Sequence, residues 1–173
     1  MYRIKSFFKT MMVLCILGSC VDRNPNQLTN DTISRRNIGS NEISNENEKT
    51  IHKIYVPIYS DIYQKSRNER TQLTATLSIR NTSEKDSLYI KRVDYFNTNG
   101  DLVKSYLEES IYLTPLETID YIIEENDTSG GAGANFILEW YGNKNLSPIF
   151  QAVMIGGIGN KSFAFTTEGL EVK

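Results

Sequence analysis

The stretch QLTATLSIRN, Gln72 to Asn81, alternates without a slip. Leu73, Ala75, Leu77 and Ile79 take one set of positions, and Gln72, Thr74, Thr76, Ser78 and Arg80 take the other. A period of two sends the two sets to opposite faces of a strand, so the segment demands a sheet with one buried and one solvated face. A helix would spread the same apolar residues around its circumference and bury none of them together. No window elsewhere offers a convincing amphipathic helix of about ten or more residues.

The rest of the chain after Ile51 carries the same signature. KIYVPIYSDIY is aliphatic and aromatic, and its Pro57 predicts an edge strand or a bulge, because proline cannot donate to a central ladder. In DSLYIKRVDYF the apolar phase slips between Ile90 and Val93, which predicts a bulge near Lys91 and Arg92. Asn99-Gly100, between two strand-like runs, predicts a tight hairpin, since both residues accept positive φ. Thr114-Pro115 breaks IYLTPLETIDYIIEEN, after which Ile119, Tyr121 and Ile123 share a face; ANFILEWYG does the same with Phe136, Leu138 and Trp140. PIFQAVMIGG is nearly continuously apolar, so it is either central or buried on both faces. Phe163 and Phe165 mark a last short strand. About 7–9 strands with turns every 8–12 residues predict an all-β, antiparallel, immunoglobulin-like β-sandwich over residues 51–173, with Trp140 as core aromatic. The paired cysteines of true immunoglobulin domains are missing.

The first fifty residues belong to a different kind of chain. Arg3, Lys5 and Lys9 precede the apolar run MMVLCILG, too short to span a bilayer, which is the pattern of a secretory signal. The run ends in Leu17-Gly18-Ser19-Cys20, which resembles a bacterial lipobox. Small residues give the peptidase access to the backbone, and the thiol attaches the lipid. The expected division is a lipoprotein signal peptide over 1–19, then a lipidated Cys20 with a flexible tether over 20–50. Cys15 is the only other cysteine and falls in the discarded segment, so the mature chain would hold no disulfide. Removing Arg3, Lys5 and Lys9 takes the net charge from −2 to −5. The tether is rich in Asn, Ser, Thr and charge, and cannot bury enough to offset its ordering entropy. As a coil it would hold the sandwich roughly 30 Å from the membrane. Val21 after the cysteine, rather than Asp, points by analogy to the outer membrane, on its periplasmic or surface face. The membrane, through the lipid anchor, and a protein or glycan of the envelope are the expected partners. The charge balance excludes a strongly basic nucleic-acid binder.

Several motifs together resemble a known family. VPIYSDIY, LTATLSIRNT, VDYFNTNGDLVKSYL, EENDTSGGAGANFILEW and AVMIGG look like the bacterial lipoprotein family known as domain of unknown function 3124, over roughly residues 54–167. The resemblance implies a secreted or lipid-anchored bacterial domain, and it supplies no catalytic residues and no cofactor. It also implies that the glycine-rich loop is a hallmark of the family.

That loop, EENDTSGGAGANF from Glu124 to Phe136, is the most conspicuous candidate for chemistry. It fails the phosphate fingerprints: no Lys-Ser/Thr pair follows Gly133, and Phe136 stands where a dinucleotide loop needs its last glycine. Its candidate ligand residues are Glu125, Asp127, Ser129, Gly131, Gly133 and Asn135. Three readings stay open for them. The acidic residues end a strand and keep its edge soluble, or the oxygens bind calcium or another hard cation, or the glycines form a small anion nest. The default reading of the glycines is positive φ or close approach of another backbone. Gly156, Gly157 and Gly159 are expected to end a strand. A hydrolase using paired carboxylates would draw on Glu125 and Glu139. His52, the only histidine, is expected as an exposed residue at the tether junction. Arg80, Lys91 and Arg92 are a candidate basic patch, with a solvated sheet face the default, and Tyr55, Tyr59, Tyr63, Tyr95 and Tyr106 a candidate glycan surface, with cross-strand packing the default. The balance of these residues points to a non-catalytic binding or structural module. A calcium- or glycan-binding domain built on the loop is the alternative.

Overall fold

Strand β3 (Arg70–Arg80) carries its alternation through to burial: Leu73, Ala75, Leu77 and Ile79 are sealed from solvent, while Thr74 and Thr76 stay half-buried on the other face. The computed structural model describes residues 50–173; the signal segment, Cys20 and the tether to residue 49 lie outside the described residues. Ten further strands surround β3 among those residues. They are β1 (His52–Pro57), β2 (Asp61–Tyr63), β4 (Leu88–Phe96), β5 (Leu102–Ser105), β6 (Ile111–Leu113), β7 (Thr118–Ile123), β8 (Asn135–Gly142), β9 (Ile149–Ile158), β10 (Lys161–Glu168) and β11 (Leu170–Val172). The described residues contain no helix.

Two antiparallel sheets result. One runs β11–β1–β8–β4, with β5 and β6 sharing the outer lane along β4; the other runs β10–β9–β3, with β2 and β7 sharing the outer lane along β3. The architecture is therefore a β-sandwich, not a closed barrel. Its eleven strands exceed the expected 7–9 because two lanes are each divided between two short strands, and because β11 has no periodic signal of its own. The inner faces meet through Ile54 and Val56, Leu88, Ile90 and Val93, and Phe136 and Leu138 on one side, and the β3 set with Phe150, Ala152 and Met154 on the other. Each of the larger side chains in this set contributes about 1.5–3 kcal/mol by leaving water.

The local devices mostly stand where the sequence puts them. The β4–β8 register slips between Ile90 and Arg92, leaving Lys91 as the exposed extra residue of a bulge. The β4–β5 hairpin forms at Asn99-Gly100, but by another turn than expected. Only Gly100 has positive φ (86°); its N–H donates to Asn97 O at 3.0 Å, and the Asn97 N–H donates to Asp101 O at 3.0 Å. This is a three-residue loop closed by a left-handed glycine. Asn97 Oδ1 accepts the Asn99 and Asp101 N–H groups at 2.9 Å each, which fixes the turn without a left-handed Asn99. Pro57 sits not on an edge strand but at the end of β1, past the reach of β11, where only β8 lies beside it. β9 is a central strand, yet only one of its faces is buried: Ile155 on the other is 53% exposed. The open outer face of this sheet explains why a continuous apolar run need not mean two-sided burial.

The two faces of β3 give a direct check. Leu77→Ala should cost about 2–5 kcal/mol through the cavity it leaves. Thr76→Ala, one residue away on the outer face, should stay within about 1 kcal/mol. Urea unfolding of both variants measures this, and equal losses would contradict the register.

Candidate functional site

The glycine-rich loop carries the chain from β7 in one sheet to β8 in the other. After Ile123 the chain leaves the ladder, and Glu124 and Glu125 stand exposed at its entrance. The Asp127 N–H donates to Glu124 O at 2.9 Å, and Asp127 Oδ1 accepts both the Ser129 N–H, at 2.9 Å, and the Ser129 hydroxyl. This Asx turn is what Asp does when its short side chain reaches its own backbone two residues on. It reverses the chain into the glycines.

Two hydroxyl side chains from distant turns then grip the loop. Thr98, in the β4–β5 turn, donates to Gly130 O from both its N–H (2.9 Å) and its Oγ1 (3.1 Å), and its Oγ1 accepts the Gly133 N–H at 2.9 Å. Ser60, in the β1–β2 crossover, accepts the Gly131 N–H on Oγ at 2.6 Å, and its own N–H donates to Gly131 O at 3.2 Å. The Ile58 N–H donates to Ala134 O at 2.9 Å, so the β1–β8 ladder continues past Pro57 into the loop. The carbonyls of Gly130, Gly131 and Ala134 and the amides of Gly131 and Gly133 are thus engaged within the protein.

This grip dictates the residue type. A Cβ on Gly130 would overlap the Tyr95 hydroxyl and come within 2.8 Å of Tyr95 Cζ. Gly131 combines a φ of 93° with a position where a Cβ would meet Thr98 Oγ1 at 2.5 Å. Only glycine meets both demands. The other candidate residues do not gather into one cluster. The structure brings Asp127 and Ser129 together, leaves Glu125 in solvent, and places Asn135 at the start of β8, opposite Pro57 and Phe96. Among the described residues no three His, Cys, Asp or Glu side chains form a metal-binding group.

Beneath the loop lies a tyrosine cluster. Tyr95 packs on Phe136 at 5.2 Å between ring centroids, Tyr106 on Phe136 at 5.9 Å, and Tyr106 meets Tyr121 edge-on at 4.8 Å. Burial pushes the Tyr95 hydroxyl up to about 12; a neighbouring Ser60 opposes this and the charges of Asp127 and Asp61 add to it. Burial first, then Tyr95 and Asp127, push Tyr106 up to about 12, and Tyr121 rises further, again chiefly by burial. Ser60 approaches Tyr95 without a well-directed hydrogen bond, so the Tyr95 and Tyr121 hydroxyls are both buried without a partner. Beside the cluster, Asp61 is buried against Arg70, whose guanidinium lies 4.8 Å above the Tyr63 ring.

The remaining chemical candidates are held by neighbours. Glu139 accepts from Arg92 Nη1 at 3.2 Å and Asp94 from Arg92 Nε at 2.6 Å; the Asp94 bond, then Glu139, hold the guanidinium pKa above its usual value against the pull of burial. The expected basic patch is therefore not one surface: Arg80 lies on β3 in one sheet, Lys91 and Arg92 on β4 in the other, with Arg92 already paired. His52 is not a linker residue but the first residue of β1. It stacks on Trp140 at 4.4 Å and hydrogen-bonds Glu171 at 2.7 Å through Nδ1. Of the five tyrosines considered as a glycan surface, Tyr95 is a core residue. Ser60 and Thr98 are the residues that sequence reasoning passed over. Their roles depend on pairings across 32 or more residues, for which no local signal exists.

A family model described as "Protein of unknown function (DUF3124)" matches residues 51–172. Among solved structures, one described as "Crystal Structure of Thermotoga maritima 1070" is similar at 15% identity, covering 69% of this chain and 92% of that chain with a TM-score of 0.42. No curated protein matches.

Two measurements follow from this geometry. Gly130→Ala should destabilise by about 1–3 kcal/mol through overpacking. Its cost should fall when Tyr95→Phe removes the hydroxyl it strikes, so strict additivity in a double-mutant cycle would refute the contact. The tyrosines give a second check. Their unfolded pKa is about 10, so above that pH the unfolded chain loses protons that the folded chain keeps, and stability falls as pH rises toward 12. Ultraviolet titration should show late-ionising tyrosines that disappear on unfolding; uniform ionisation near 10 would contradict the burial.

Proposed function

This chain belongs to the DUF3124 family of proteins of unknown function, and on that premise we propose that it is a lipid-anchored envelope protein whose β-sandwich is a binding or structural module rather than an enzyme. The observation that carries the non-catalytic reading is what its chemistry-bearing side chains hold. His52 is bonded to Glu171 and stacked on Trp140, Asp127 caps Ser129, Glu139 pairs with Arg92, and Asp61 pairs with Arg70. Each is committed to the frame of the sandwich. A general base or nucleophile needs instead to face a substrate with its proton or lone pair available.

The glycine loop supports the same reading. Its backbone donors and acceptors close on Thr98 and Ser60, which makes it a latch between two turns and the sheet-to-sheet connection. The anchor rests on Leu17-Gly18-Ser19-Cys20 behind its basic and apolar leader. A single acyl chain would bind a membrane only marginally, and the two or more that a lipidated cysteine carries would make attachment stable. The outer membrane is the proposed location, with a protein or glycan of the envelope as partner.

Metabolic labelling with radioactive palmitate tests the anchor. The full chain should incorporate label and partition with membranes, and Cys20→Ala should lose both. Undiminished labelling of that variant would remove the anchor from the proposal.

A further inference from the structure

β10 closes one side of the β10–β9–β3 sheet, and among the described residues it pairs only with β9. It is eight residues long, and its centre, Ser162–Thr167, is SFAFTT, without a charge, a proline or a glycine. Edge strands that must stay single are normally short, bulged, or interrupted by charge or proline, because their free N–H and C=O groups are a template for another strand. β10 has none of these protections in its centre. It has the composition of a segment that pairs: high β propensity, low charge and no proline.

The choice of occupant follows from the strand's own symmetry. We propose that β10 is the surface through which two copies of this chain join, antiparallel and edge to edge, about a two-fold axis at Ala164. A two-fold axis perpendicular to the sheet keeps inner faces inner, so only registers that match like faces are allowed. With the axis at Ala164, the exposed outer side chains pair small with small: Ala164 faces its counterpart and Ser162 faces the second copy's Thr166. On the inner side Phe163 faces the second copy's Phe165, twice by symmetry. Those rings already lie nearly parallel within one copy, 6.5 Å apart at 12°, and Tyr59 abuts Phe165 at 5.7 Å. Aromatic and Ser–Thr pairs are among the favourable cross-strand combinations. The charges fall outside: Lys161 would face Thr167 and Glu168 would face Asn160, so no like charges meet. Moving the axis to Phe165 places Ser162 against Glu168 and runs the pairing into Gly169, where the chain leaves for the other sheet. The Ala164 register is the better match, and it would join the two sheets into one continuous sheet across both copies.

Disulfide trapping of the full chain in cells tests this register. Ala164→Cys should give a reducible dimer under mild oxidation, well above the unmodified chain, which controls for Cys15 and Cys20. Ile155→Cys, opposite Ala164 but one strand inward, should not. Ala164 is exposed, so a cysteine there leaves folding intact. As a second arm, differently tagged Ala164→Lys and Ala164→Glu chains should co-purify with each other roughly tenfold better than either does with itself, because like charges would oppose at the axis. An Ala164→Cys chain that forms no more dimer than the unmodified chain, or like-charged pairs that co-purify as well as the mixed pair, overturns the proposal.

Discussion

Leu73, Ala75, Leu77 and Ile79 on β3 lie against the inner face built by β1, β4 and β8, and neither face can be dry without the other. A sheet solvated on both sides would leave these aliphatic groups in water and lose most of its reason to order. Everything else in the structure serves that closure. The bulge at Lys91 re-phases β4 so that Val93 and Tyr95 return to the inner side after Ile90. The divided lanes along β3 and β4 lengthen the covered area without a second long strand. The outer faces are free to diverge: one carries the Arg92–Asp94–Glu139 network, while the other presents isoleucine and threonine.

The glycine loop belongs to the same closure. A chain passing from one sheet to the other must cross the open end of the sandwich, where the tyrosine cluster lies. Crossing closely enough to cover Tyr95 leaves no volume for a side chain at Gly130, and backbone polar groups so placed need partners. Thr98 and Ser60 supply them from turns that are themselves fixed, the first by Asn97 and the second by the running ladder of β1 and β8. The loop's glycines are thus a result of tight crossing. Asp127 does a separate, local job in turning the chain.

Features written in neighbouring residues were legible in the sequence, and those written in distant ones were not. The alternation of Leu73 to Ile79, the phase slip at Lys91 and Arg92, and the hairpin glycine at position 100 are all encoded within a few residues, and each stands where it was expected. The type of that hairpin turn was not legible, because it depends on Asn97 Oδ1 reaching two amides rather than on Asn99. The three residues of β11 carry no period to read. His52 looked like a linker residue because its partner Glu171 is 119 positions away. The loop was recognisable as glycine-rich and as unlike a phosphate cradle. Its actual contacts, Thr98 and Ser60, come from turns 32 and 71 residues distant. No pattern within the loop could have named them.

β1 holds a position with a mechanical meaning. It is paired with β8 along all of its length and with β11 over Lys53 to Tyr55, antiparallel on both sides. Tension on the chain ahead of His52 therefore pulls along the strand axis and loads those ladder bonds together, in shear, instead of peeling them apart one after another. A domain held from this end yields only when many bonds fail at once. The first strand of the described residues is in this way the mechanical root of the sandwich.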